Sequence, residues 1–128
     1  MEPTSSPFKS VRGVRRVFNA WRYSMQGLAA ATRHEAAFRQ ELLLAAVLVP
    51  AAFFVGRSLI EILLLLGTVF VVLIAELLNS ALETLADAVS VEHHPLIGRA
   101  KDIGSAAVWL SLALLTLVWA AVLWDRFV

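Results

Sequence analysis

The sequence predicts an all-α membrane protein: an amphipathic surface helix followed by three transmembrane helices, in a single unit. Three observations carry that reading. Of the 128 residues, 59% are hydrophobic, and the mean hydropathy is +0.76. That is more apolar surface than a core of this size hides, so a bilayer is the natural solvent. Residues 8–34 space their apolar side chains by three and four and intersperse them with basic ones, the pattern of an amphipathic helix. The charge is uneven: the net +1 hides seven basic residues (Lys9, Arg12, Arg15, Arg16, Arg22, Arg33 and Arg39) ahead of the first apolar run. No cysteine is present, which excludes disulfides, thiolate metal sites and redox motifs. The basic part is too long for a signal peptide, and no small-residue cleavage site follows a short apolar core.

Residues 1–7 read as a flexible tail. Residues 8–34 read as the surface helix, with Phe8, Val14, Phe18, Trp21, Met25 and Leu28 on its apolar side and membrane lipids as its partner. The same basic helix would suit nucleic acid, but nothing else in the chain suggests such a module. Residues 36–56 form the first span. The apolar run Leu42 to Gly56 is only roughly 22 Å long, so the helix extends back through Phe38, with Arg39 and Glu41 snorkelling or facing protein. Pro50 is placed to kink it. Gly56-Arg57-Ser58 reads as a tight turn. Residues 59–89 form the second span, residues 90–102 a loop, and residues 103–124 the third span. Trp119 and Trp124 close the third span at an interface. Three spans put the chain ends on opposite sides. The excess of Lys and Arg places the N-terminus and the second loop in the cytoplasm and the C-terminus across the membrane.

The chemistry gathers on the second span. Glu76 follows fourteen uncharged residues, Ile62 to Ala75, and a carboxylate kept at membrane depth is a functional candidate. At 3.6 residues per turn, Glu76, Asn79, Ser80, Glu83 and Asp87 share one face. Asn79 and Ser80 also suit hydrogen-bonded helix packing, and Glu76 also suits an ion pair with a neighbouring helix. Glu83 lies roughly 10 Å further along, too far for both carboxylates to bind one ion. Two depths fit two tasks: Glu76 meets a hydroxyl on a membrane-embedded substrate, and Glu83 meets a metal or a water-borne polyphosphate. A second cluster runs from Glu35 to Glu41. Glu35 and Arg39 have the spacing of a helix salt bridge, while Glu35 equally offers an oxygen ligand to Mg2+. A third cluster, Gly98-Arg99-Ala100-Lys101-Asp102-Ile103-Gly104-Ser105, offers donors and cations to phosphate. No Walker-type loop or kinase signature occurs, and His93 and His94 lack metal-ligand spacing.

These three motifs, Glu35 to Glu41, Glu76 to Glu83 and Gly98 to Val108, in this order and spacing, resemble the prokaryotic diacylglycerol kinase family of small integral membrane enzymes. The likeness runs from about Phe8 to Trp124. It implies transfer of the γ-phosphoryl group of ATP to diacylglycerol, giving phosphatidic acid, in a homotrimer with composite sites in the bacterial inner membrane. By the same resemblance Glu76 matches the general base, and Glu35 and Glu83 match carboxylates that hold Mg2+ against ATP. Arg16, Tyr23, Asn79, Glu92, His93, His94, Lys101 and Asp102 match positions that contact the nucleotide. Arg16, Ser24, Arg39, Gln40, Glu41, Glu76, Ser105 and Trp119 fall where the lipid substrate is bound. Pro95 departs from the family pattern, in which a non-proline residue follows the histidines, and it removes one N–H donor there.

Two rivals frame that expectation. Related kinases phosphorylate undecaprenol with the same carboxylates, and acceptor choice rests on pocket shape. A non-enzymatic reading is an ion-conducting oligomer with a pore lined by Glu76, Asn79 and Glu83, which leaves the Gly98 to Ser105 cluster without a task.

Overall fold

The computed structural model describes residues 9–89 and 94–128, with side chains from residue 13 onward. Four helices follow one another: α1 (Lys9–His34), α2 (Ala36–Val55), α3 (Leu59–Val89) and α4 (Pro95–Phe127). The last three are long and apolar enough to cross a membrane. Their lengths differ usefully. The 20 residues of α2 rise about 30 Å, one hydrocarbon thickness. The 31 residues of α3 and the 33 of α4 rise about 46 and 50 Å, so both overhang α2 at one end.

The opposite end is pinned. Gly56 closes α2, its N–H donating to the Ala52 carbonyl at 2.9 Å. A side chain at Gly56 would meet Ile62 Cγ1 at 2.5 Å and the Ala52 carbonyl at 3.0 Å, so only glycine lets α3 start so close to α2. Ser58 Oγ accepts from the Glu61 N–H at 3.2 Å, and the Glu61 carboxylate accepts from the Arg57 N–H at 2.7 Å. This exchange resembles a capping box and satisfies donors that the first turn of α3 leaves over. Arg57 also pairs with Asp125 near the end of α4. The α2–α3 turn and the C-terminus of α4 therefore lie at the same end. Pro50 does not break α2, which continues through it to Val55.

α3 is the central helix, packing against α4 on one side and α2 on the other, while α1 touches α2. The core lies toward the pinned end, where Ala45 and Ala52 of α2 meet Leu65 and Val69 of α3 and Trp119 of α4. Small residues let the backbones approach, and the indole fills the space that remains. Trp119 is 7% exposed, and its Nε1 donates to Thr68 Oγ1 at 3.1 Å. It is thus not an interfacial anchor. An indole whose N–H finds a buried hydroxyl has no need of the headgroup layer. Trp124 is exposed.

A second difference concerns α4. The helix starts at Pro95 rather than Ile103, so residues 95–102 are helical and not a loop. Proline at the first helical position lacks only an N–H that no helix would use, and its fixed φ suits the turn. His94 caps it, its Nδ1 accepting from the Leu96 N–H at 3.1 Å. Pro95 and Gly98 read as loop residues, but packing of α4 on α3 overrides that local preference.

Candidate active site

The polar stripe of α3 is largely buried, and it is ordered from within. Glu76 is 5% exposed, Ser80 5% and Asn79 9%. Ser80 Oγ donates to Glu76 Oε1 at 3.3 Å, and Asn79 Nδ2 donates to Glu83 Oε1 at 3.3 Å. Both pairs are four residues apart, where side chains on one helix face meet. Ser80 therefore bonds to the carboxylate one turn before it. Thr84 donates back to the Ser80 carbonyl at 2.8 Å.

Depth follows from the helix lengths. Glu76 stands about 26 Å along α3 from Leu59, level with the first turn of α2. Glu83 stands about 36 Å along, just beyond the start of α2. One carboxylate therefore lies inside the rim of the apolar slab and the other outside it.

Where α1 meets α2, Glu35 takes an extended backbone (φ −112°, ψ 108°) at the N-cap position but makes no side-chain capping bond. Its carboxylate is left for another partner. Arg39 does not answer Glu35. Its Nη1 turns back to the carbonyls of Thr32 at 3.1 Å and Arg33 at 3.0 Å, capping the C-terminus of α1 with a cation, as the helix dipole favours. Glu41 lies one turn and a half into α2, with Oε2 buried and without a hydrogen-bond partner. Glu35, Glu41 and Glu83 all lie within electrostatic range of Glu76. Among the described residues none of these four carboxylates enters an ion pair. Such a group repels itself in a medium of low dielectric, and a cationic ligand relieves it.

The donor set is all oxygen, which suits a hard cation. Among the described residues no three carboxylate or imidazole groups converge into a metal cage. Mg2+ asks for less, typically one or two carboxylates completed by waters and substrate phosphates. Glu35 and Glu83 fit that requirement.

A cleft of about 910 Å³ opens between α1 and α3, with Ser24, Ala31, Glu35, Leu77, Ser80 and Thr84 among its lining residues. Its wall is mainly apolar with few polar groups, the ordinary make-up of a site for an organic ligand. Where α3 meets α4, Lys101 Nζ bonds Asp87 Oδ1 at 2.7 Å and lies within electrostatic range of Glu83. Asp102 and Ser105 are exposed on the same helix.

The structure thus brings together Glu35, Glu41, Glu76, Asn79 and Glu83, with Lys101 close to Glu83; Ser24 lines the same cleft, roughly 16 Å along α1 from Glu35. Gln40 and Arg39 are exposed at the start of α2. Arg16 and Tyr23 are exposed along α1, roughly 28 and 18 Å from Glu35 measured along the helix. Trp119 sits in the core beside Thr68, and Thr68 is about 12 Å from Glu76 along α3. Glu92 and His93 lie outside the described residues. Sequence reasoning missed the Asp87 partner of Lys101 and the capping task of Arg39. The first was visible only as a fifth polar residue on the α3 stripe, and the second had no local signal.

Residues 22–123 match the family model described as prokaryotic diacylglycerol kinase. The chain is 49% identical over 118 residues to a diacylglycerol kinase of Pseudomonas aeruginosa, covering 92% of this chain and 96% of the relative. It is 46% identical over 111 residues to one of Haemophilus influenzae, covering 87% and 94%. It is 42% identical over 115 residues to one of Escherichia coli K12, covering 90% and 94%. The matched stretch runs from α1 into the last turns of α4 and takes in every carboxylate of the cluster. A likeness of that extent is one of whole chains, and the chain belongs to the prokaryotic diacylglycerol kinase family.

Proposed function

We propose that this protein transfers the γ-phosphoryl group of ATP to the free hydroxyl of diacylglycerol, giving phosphatidic acid, at the cytoplasmic face of a bacterial inner membrane. The observation that carries the proposal is the buried Glu76, set among carboxylates without cation partners at the rim of the apolar slab and beside an apolar cleft. The lipid acceptor enters that cleft laterally from the bilayer. ATP arrives from water, on the side where α3 and α4 overhang α2. The basic residues of α1, with Arg99 and Lys101 in the first turns of α4, argue that this side is cytoplasmic, with α1 lying along the membrane surface.

Phosphoryl transfer asks a protein mainly to align partners and offset charge. Ser80 occupies Oε1 of Glu76 and leaves Oε2 for the acceptor. The acceptor hydroxyl loses its proton to that oxygen as its own oxygen bonds to the γ-phosphorus. The bond from the γ-phosphorus to the bridging oxygen breaks, and ADP leaves with the electron pair. Glu35 and Glu83 would hold Mg2+, which on binding supplies charge neutralisation to the polyphosphate. Lys101 exchanges Asp87 for phosphate oxygens. Asn79 orients Glu83, and Asp102 together with Arg16, Tyr23, Glu92, His93 and His94 frames the nucleotide. Arg39, Gln40, Glu41, Ser24 and Ser105 belong to the lipid side, while Trp119, held in the core by Thr68, does not reach it. The distance of Arg16 and Tyr23 from the carboxylates of their own chain favours a homotrimer, in which a neighbouring subunit completes each site.

The deciding experiment is lipid labelling by ATP and Mg2+ with purified protein, diacylglycerol and undecaprenol being offered side by side. Labelled phosphatidic acid, lost in Glu76→Gln, is the expected result. Label on undecaprenol alone would reassign the acceptor, and label on neither would remove the kinase reading.

A further inference from the structure

Gly104 of α4 faces the Asn79 side chain of α3. A Cβ at this position would overlap the Asn79 amide oxygen, with Asn79 Cγ at 3.5 Å and Leu82 Cδ2 at an ordinary 3.9 Å. The closeness therefore involves one polar group and is not general crowding. Gly13, Gly27, Gly67 and Gly98 have open space where a Cβ would stand, so Gly98, six positions earlier on α4, makes no comparable demand. Asn79 is 9% exposed, and its Oδ1 is buried without a hydrogen-bond partner. An unsatisfied amide oxygen is costly to bury, and here it occupies the space that a Cβ on residue 104 would take. The other end of the same planar amide does the useful work: Nδ2 holds Glu83 Oε1 at 3.3 Å. Because the amide is flat, the seat of Oδ1 sets the direction of Nδ2.

We propose that Gly104 is a positioning residue for Glu83: its missing side chain lets Asn79 lie against α4, and from there Asn79 aims the Glu83 carboxylate. The proposal rests on the reading of Glu83 as a carboxylate that binds the metal of the nucleotide. An alanine at 104 pushes the amide outward, breaks the Asn79–Glu83 bond and leaves Glu83 free to rotate. Glu76, about two turns from Glu83 along α3, keeps its own bond to Ser80.

The test is Mn2+ binding to the purified full chain in the presence of a non-hydrolysable ATP analogue, read from the spin-resonance signal of free Mn2+. Gly104→Ala is expected to weaken Mn2+ binding about tenfold while the KM for diacylglycerol stays unchanged. In an Asn79→Ser background, whose shorter side chain does not reach α4, the same alanine is expected to cost nothing further. A folded Gly104→Ala protein with parental Mn2+ affinity overturns the proposal, as does an equal loss in both backgrounds. If Gly104→Ala alone does not fold, recovery of folding on adding Asn79→Ser supports the contact, and continued failure overturns it. Glu83→Ala separates the two levels. Unchanged Mn2+ binding there removes the metal reading of Glu83 and the proposal with it. Lost binding in Glu83→Ala beside parental binding in Gly104→Ala removes the proposal alone.

Discussion

Glu76 is a carboxylate with 5% exposure, and its stated partner is a hydroxyl one turn along its own helix. A side chain so placed is poor material for stability, since neither burial nor a single neutral hydrogen bond compensates a charge. It is well placed for proton transfer. Glu76→Gln keeps shape and volume but accepts no proton, so turnover should fall about a thousandfold, with ATP-analogue binding and assembly unchanged by calorimetry and size-exclusion. Near-parental turnover would strip Glu76 of the base role. Glu35→Ala and Glu83→Ala should instead raise the Mg2+ concentration at half-maximal rate, visible as a shifted metal titration at saturating ATP. Thr68 gives a contrast without catalytic content. It accepts from the buried Trp119 indole and donates to the Leu65 carbonyl at 2.7 Å. Thr68→Val leaves that indole N–H unpaired and should cost about 1–3 kcal/mol in detergent-denaturation curves, with little change in the rate of the folded fraction.

At the scale of elements, both ends of α2 are engineered by neighbours. At its start, Arg39 reaches back to close α1, so the angle between α1 and α2 depends on one guanidinium. At its finish, Gly56 admits Ile62 at a distance that no side chain tolerates. Gly56→Ala should destabilise the α2–α3 hairpin by about 1–3 kcal/mol, as overpacking does, lowering the thermal midpoint while leaving the KM for ATP unaltered. A change confined to ATP binding would contradict the separation of the two ends. That separation is itself the design of α3. Its half nearer Arg57 carries Leu65, Thr68, Val69 and Val72 into the core, and its other half carries Glu76, Asn79, Ser80 and Glu83 into the site. One rod serves as scaffold at one depth and as chemistry at another.

For the whole molecule, the single chain leaves much apolar surface uncovered, for example Leu43, Val47, Phe53, Phe54 and Phe70. Lipid and further copies of the chain are the natural cover, because neither penalises exposed hydrocarbon. Arg16 and Tyr23 lie roughly 28 and 18 Å along α1 from their own Glu35, so the composite site proposed above has a direct consequence. Subunits carrying Glu76→Gln, inactive alone, should regain a measurable fraction of activity when co-assembled with subunits carrying Arg16→Ala. Mixed assemblies no more active than either parent would mean that each site draws these groups from one chain.

The sequence by itself determined the helices, the three spans and the identity of the acidic groups. Hydrophobic periodicity, the rarity of carboxylates in apolar runs and the three ordered motifs are all local or one-dimensional signals. It also located the α2–α3 turn, because glycine and a serine cap act through their own backbone. It misjudged the start of α4, where Pro95 and Gly98 read as a loop although proline is at home in a first helical turn. It also misjudged Trp119, since interfacial and buried tryptophans look alike until a partner such as Thr68 is known. Only the tertiary structure decided that Arg39 caps α1, that Lys101 meets Asp87 and that Asn79 nests on Gly104. Lys101–Asp87 and Asn79–Gly104 join separate helices, and the turn of Arg39 back onto α1 depends on the angle between two. Such contacts depend on how rods rotate and slide against one another, which no spacing along a single chain encodes.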